Sequence, residues 1–254
     1  MPLPKFQSGF RKYHSTETAL LKVQNDILMS MDNKKVTLLV LLDFSAAFDT
    51  TEHSILLNIL QQDVGVVGTA LNWFDSFLSG RKKRILVGDK TSDDFNLNCG
   101  VPQGSCMWPI LFTLYVSRLF KIIFQHLPSV HGYADDTQIY LSFRSCSIHS
   151  EINAVSATEK CIAGVRSWFI ANRLMIKDAK TEFLIIGTRQ QLEKISIESV
   201  TIDDTLIKPL ESVRNLWSWF DAHMRMNVHI GKICSKAFRG LYNIRQIRKF
   251  LTVQ

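Results

Sequence analysis

The sequence contains no apolar run near the roughly 18 residues of a membrane span. Its best candidate, Val36 to Leu42, is cut off by Asp43, so no membrane partner is expected. Its five cysteines, Cys99, Cys106, Cys146, Cys161 and Cys234, are odd in number and scattered, without C-x-x-C spacing. That excludes a disulfide framework and a zinc knuckle, and free thiols are expected. The histidines are equally dispersed and read as ordinary surface or core imidazoles. The opening Met1-Pro2-Leu3-Pro4-Lys5 lacks the basic-then-apolar layout of a secretory signal. An intracellular protein, of nucleus or cytoplasm, is the expectation. Repeats, low-complexity tracts and Pro/Gly/Ser-rich linkers are also missing, so the 254 residues read as one continuous unit. Acid is missing from one stretch: between Arg225 and Gln254 there is no Asp or Glu, while the whole chain carries a net charge of +7. The seven Lys and Arg of that stretch account for all of it, which makes a basic arm suited to phosphates or anionic lipid, or a solvated helix face.

What is present is a core: 46% of residues are hydrophobic, enough for one large domain. Ala19, Leu20, Val23, Ile27 and Met31 recur at helical spacing behind the capping candidates Ser15-Thr16-Glu17-Thr18. Val36 to Leu42 reads as a strand buried on both faces. Helices are predicted over 53–62, 69–78 and, as one apolar helix, 110–124. Val130 to Phe143 reads as a hairpin around Asp135-Asp136, because Asp is a turn residue and Ile139, Leu141 and Phe143 alternate after it. An amphipathic helix through Ile152 and Phe169, a strand at 182–186, strand-like pieces at 195–202 and 213–220, and a last amphipathic helix through Ile230 and Ile244, whose apolar stripe is expected to pack on the body with Lys232, Lys236 and Arg239 facing outward, complete the pattern. Strands and helices mix without regular alternation, giving an α+β class.

The strand at 36–42 delivers a carboxylate at its end, and the hairpin tip holds two adjacent ones. A buried carboxylate must be paired, hydrogen-bonded or metal-bound, and like charges so close repel. A divalent cation such as Mg²⁺, an oxygen-seeking ion, resolves both problems. An exposed turn at Asp135-Asp136 and a helix cap at Asp43 would explain either feature taken alone.

Four ordered blocks decide between these readings. Leu42-Asp43-Phe44-Ser45-Ala46-Ala47-Phe48-Asp49, Gly100-Val101-Pro102-Gln103-Gly104-Ser105, Tyr133-Ala134-Asp135-Asp136 and Lys180-Thr181-Glu182-Phe183 stand in the order and spacing of non-LTR (LINE-like) retrotransposon reverse transcriptases. The chain resembles that family over nearly its whole length. Gly9-Phe10-Arg11 and Lys232-Ile233-Cys234-Ser235-Lys236-Ala237-Phe238 are similar to flanking segments of it. The resemblance implies a right-hand polymerase fold, with an antiparallel palm sheet carrying helices on one face. It divides the chain into partial fingers (1–35), a palm-centred core (36–190), primer-grip-like strands (191–226) and the start of a basic thumb helix (227–254). It implies an RNA-directed DNA polymerase adding dNTPs to a primer on an RNA or DNA template, with two Mg²⁺ ions, or Mn²⁺, held by Asp43, Asp135 and Asp136.

By the same resemblance Lys180 is a candidate proton donor to pyrophosphate. Phe48, Gln103 and Gly104 are candidate nucleotide contacts, Phe48 as the bulky residue that excludes a ribose 2′-hydroxyl. Arg11, Arg81, Lys82, Lys83, Arg84, Lys232, Lys236 and Arg239 are candidate nucleic-acid contacts. The pattern breaks at Trp108 and Trp217, where the family has glycine. Glycine serves positions of positive φ or close approach, so Trp108 is expected to disturb its loop. The chain also begins part-way through the family's fingers, with the endonuclease domain absent, which implies a fragment. A second reading therefore stays open: a remnant that binds nucleic acid without turnover.

Overall fold

The computed structural model describes residues 4–44, 50–97, 99–100, 105–174, 180–202 and 205–250. Ser15 starts α1 (Thr16–Asp32) with a capping box, its hydroxyl accepting from the Thr18 amide while the Ser15 amide donates to the Thr18 hydroxyl. β1 (Lys35–Asp43) follows, then α2 (His53–Ile59), which runs into a π-helical turn at Leu60–Val64, and α3 (Gly68–Leu78). Two small exposed ribbons come next, made of β2 (Lys82–Lys83), β3 (Leu86–Val87), β4 (Lys90–Thr91) and β5 (Phe95–Asn96).

The apolar stretch expected as one helix is two, α4 (Trp108–Tyr115) and α5 (Ser117–His126). The Ser117 hydroxyl donates to the Leu114 carbonyl, and Val116 between them sits at φ −78°, ψ −4°. Local side-chain bonding of this kind competes with the helical ladder. β6 (Ser129–Tyr133) and β7 (Asp136–Arg144) form the expected hairpin; α6 (Ile148–Ala171) and β8 (Glu182–Ile186) follow. The remainder is α7 (Arg189–Leu192), β9 (Val200–Ile202), β10 (Thr205–Ile207), β11 (Ser212–Asn215), β12 (Ser218–Asp221) and α8 (Asn227–Ile247).

The main sheet has the order β6-β7-β1-β8 and is antiparallel throughout. Because side chains alternate along a strand and antiparallel partners point the same way, β1 has two distinct faces. Val36, Leu38, Val40 and Leu42 enter a large core with α4, α5 and α6. Leu39 enters a second core with Tyr140, Leu184, Val23 and Ile27 of α1, and Val213 and Phe220 of the β11–β12 hairpin. Helices therefore cover both faces, not one, as the family resemblance implied. Leu39 is fully buried, and Leu39→Ala is expected to cost about 2–5 kcal/mol. The mixed α and antiparallel β organisation agrees with the α+β class read from the sequence.

Two expectations fail on packing. The piece at 213–220 is a hairpin whose turn residues Leu216 and Trp217 have φ of +42° and +76°. Among the described residues the basic arm is helical over Asn227–Ile247, and none of that helix's side chains is buried: Ile233, Leu241 and Ile244 stay exposed, so its apolar stripe does not lie on the body of the protein.

Candidate active site

The register of β1 and β7 pairs Asp43 directly with Asp136 at one end of the main sheet, so both point to the face shared with α1 and the β11–β12 hairpin. Asp135 precedes Asp136 in the turn, after Ala134 at φ +57°. Asp136 is pushed up to about 6, first by desolvation and then by the charges of Asp135 and Asp43, with Lys180 opposing. Asp135 is raised too, again by desolvation first and with a contribution from Asp43. Lys180 Nζ lies 2.7 Å from Asp43 Oδ2, and that hydrogen bond holds the ammonium above its usual range. Two acids whose charged forms are disfavoured, beside a third paired to a lysine, make an oxygen-donor set in want of positive charge, and such a set suits a divalent cation. Among the described residues, no three His, Cys, Asp or Glu side chains stand as a ready-made ligand cluster. Lys180 already supplies a positive charge to Asp43.

A cavity of about 470 Å³ opens from Asp43 and Asp136 along the sheet face to the hairpin, past Gln138 and Glu182 to Arg214, Asn215 and Trp217. Gln138 is 1% exposed, and its side-chain N and O make no hydrogen bond to the protein; nor does Asn215 Nδ2. Buried polar groups ordinarily have partners, so these two side chains leave hydrogen-bonding capacity unmet behind the cavity wall. Trp217 is 70% exposed, with the Arg214 guanidinium 4.3 Å and Lys236 Nζ 5.9 Å from its ring centre. Gln138 was missed in the sequence although the two-residue period of β7 after Asp136 puts it on the same face. Arg214 and Asn215 were missed because Leu216-Trp217 carries no turn chemistry.

The other candidates scatter. Arg11 donates to the Pro4 carbonyl at 3.2 Å. Arg81 lies 4.3 Å over the Phe77 ring, Lys82 pairs with Asp94 at 3.3 Å, Arg84 pairs with the same Asp94, and Lys83 is exposed on β2. Lys232 sits 5.1 Å over Trp219, so it and Lys236 turn toward the hairpin instead of outward; Arg239 is exposed. Phe48, Gln103 and Gly104 lie outside the described residues. Trp108 corrects the expectation placed on it. It is the first residue of α4, has no positive φ, is 5% exposed, and packs on Phe112 with ring centres 6.0 Å apart. A core indole at a helix start is compatible with its backbone.

The chain is similar in fold to apo telomerase from Candida tropicalis, with TM-score 0.54 and 14% identity, covering 80% of this chain and 40% of that one. The profile of the reverse transcriptase (RNA-dependent DNA polymerase) family matches residues 1–216, and the chain belongs to that family. It is 26% identical over 250 residues to the RNA-directed DNA polymerase from mobile element jockey of Drosophila melanogaster, covering 93% of this chain and 25% of the relative. It is 27% identical over 251 residues to the probable RNA-directed DNA polymerase from transposon BS of the same fly, covering 96% and 26%. A 112-residue stretch is 34% identical to the probable RNA-directed DNA polymerase from transposon X-element, covering 44% and 12%. The resemblance to non-LTR retrotransposon enzymes thus holds. The chain spans about a quarter of the length of the jockey and BS relatives.

Proposed function

We propose that the chain is the polymerase core of an RNA-directed DNA polymerase, adding dNTPs to a primer 3′-hydroxyl on an RNA or DNA template. The observation that carries this is the pairing of Asp43 with Asp136 across β1 and β7 at one end of a cavity, with Asp135 next to Asp136 in the turn. On this reading the sheet with α4 to α6 is the palm within 36–190. Residues 1–35 belong to the fingers, 191–226 carry the primer-grip strands, and 227–254 begin the thumb. Two Mg²⁺ or Mn²⁺ ions held by Asp43, Asp135 and Asp136 would lower the pKa of the attacking hydroxyl and offset charge on the leaving pyrophosphate. Lys180, 2.7 Å from Asp43, would hand its proton to the leaving pyrophosphate. The exposed Trp217 ring and the Arg214 guanidinium beside it offer stacking and positive charge to a nucleotide in the cavity.

Primer extension with purified chain, an RNA template and a DNA primer in Mg²⁺ or Mn²⁺ tests the reading. Extension abolished by Asp43→Asn and by Asp135→Asn is the expected result. A second reading, nucleic-acid binding without turnover, draws on Trp217, a bulky ring at φ +76° inside the cavity mouth. It predicts duplex affinity with no extension, and with no change on Asp43→Asn.

A further inference from the structure

The turn that presents Asp135 and Asp136 depends on Ala134 staying at φ +57°. That region is disfavoured for a residue with a Cβ, and alanine lacks the side-chain polar group with which Asn or Asp stabilises it locally. Its support has to come from elsewhere. A segment 127 positions earlier lies against it. The Ser8 amide donates to the Gly132 carbonyl and the Gly132 amide to the Phe6 carbonyl, both at 2.8 Å, making a parallel bridge alongside β6. Gly9 then touches the turn backbone to backbone: a Cβ added there would stand 2.2 Å from Ala134 N. Gln7, 1% exposed, closes the contact. Its Oε1 accepts from the Ala134 amide at 3.2 Å and the Gly9 amide at 2.9 Å, and its Nε2 faces the Ala134 carbonyl at 3.4 Å.

We propose that Gln7 is a positioning residue for the carboxylate-bearing turn, holding Ala134 left-handed and so fixing where Asp135 and Asp136 present their oxygens. The inference rests on the polymerase reading only in taking those oxygens as cation ligands. A satisfied core amide with no such role would contribute to stability alone, so the test reads position and stability separately.

The full 254-residue chain is compared with Gln7→Met, which keeps the volume and loses both amide functions. Ser8→Ala is the control; it removes the 2.9 Å contact between Ser8 Oγ and His131 Nε2 on the same segment. Hydrogen exchange at the Ala134 amide is measured, together with Mn²⁺ binding by water-proton relaxation. In Gln7→Met the Ala134 amide is expected to exchange at least ~10-fold faster and Mn²⁺ to bind about 10-fold more weakly, as a displaced ligand turn requires. Ser8→Ala should move neither by more than ~2-fold, whatever it does to the melting temperature. If Gln7→Met does not fold, Gln7→Asn, which keeps the amide but falls a methylene short of Ala134, should shift both readings the same way. Unchanged exchange and Mn²⁺ binding in a folded Gln7 variant overturns the proposal, as does an equal shift in Ser8→Ala. Should Asp43→Asn leave Mn²⁺ binding untouched, the metal reading of the site fails instead, and Ala134 exchange alone then judges the clamp.

Discussion

Replacing Trp217 by glycine and by alanine separates backbone strain from ring contacts at the cavity mouth. The backbone there stands at φ +76°. An L-residue in that region gives up about 1–2 kcal/mol, and glycine's extra freedom in the unfolded chain offsets ~0.4–1 kcal/mol of the relief. Glycine should therefore exceed alanine in stability by about 1 kcal/mol at this position. The ring itself is 70% exposed, so its loss removes little beyond the contacts with Arg214 and Lys236, about 0.5–1 kcal/mol at an exposed site. Trp217→Ala is thus expected to destabilise by roughly that amount, with Trp217→Gly close to the parent. Trp108 makes the opposite case. It is 5% exposed in a helical backbone, so Trp108→Ala should cost about 3–5 kcal/mol and Trp108→Gly up to ~1 kcal/mol more. Loss of folded protein, and not faster primer extension, is the expected outcome of Trp108→Gly. Urea unfolding of the four variants gives the two rankings. Alanine at least as stable as glycine at 217 would refute the left-handed turn.

Three further outcomes follow from the same geometry. The folded-state pKa of Asp136 is raised to about 6 from 3.8, so the native state binds the extra proton between those values and the metal-free chain should lose stability as pH rises through that window. Asp43, Asp135 and Lys180 face the same carboxylate; Asp136→Asn should flatten the slope, which a melting series from pH 4 to 6.5 checks. Lys180→Gln should cost under ~1 kcal/mol, because the pair with Asp43 is half exposed on the lysine side, and should tighten Mn²⁺ binding by removing a competing cation, read by titration. Truncation after Met226 removes a helix with no buried residue. Its melting temperature should therefore stay nearly constant, while template-primer affinity becomes less steep in salt.

Elements whose own chemistry declares them were legible. α1 carries its capping box, β1 its branched apolar run and the β6–β7 hairpin its alternation, and each lies within a few residues of its expected bounds. The 213–220 hairpin was not legible, because its turn is Leu216-Trp217 and tertiary packing of Val213 and Phe220 against Leu39 and Leu184 overrides turn propensity. The single helix drawn over 110–124 failed for a similar reason: apolar periodicity runs straight through Val116, while the interruption belongs to one Ser117 hydroxyl. The stripe on α8 was read correctly as amphipathic, but periodicity identifies an apolar face without saying what covers it.

The acids themselves were visible because a charge ending an apolar strand and two charges sharing a turn are locally costly arrangements, and cost is written in sequence. Their support was not visible. Gln7 is one unremarked amide in a short N-terminal stretch without helical or strand periodicity, and nothing within its own neighbourhood demands it; the demand arises at Ala134, in a turn formed far along the chain. Gly9 was noted only as part of a resemblance, although its need for a missing Cβ comes from the same distant backbone. The acids are thus fixed twice: by the β1–β7 register, which sets the spacing of Asp43 and Asp136, and by the N-terminal strap, which holds the turn that aims Asp135. Loss of the strap should leave Asp43 paired in register with Asp136 while the turn shifts, displacing Asp135 most. Gln7→Met should therefore weaken Mn²⁺ binding less than Asp43→Asn does, and an equal loss in the two variants would mean that the register depends on the strap.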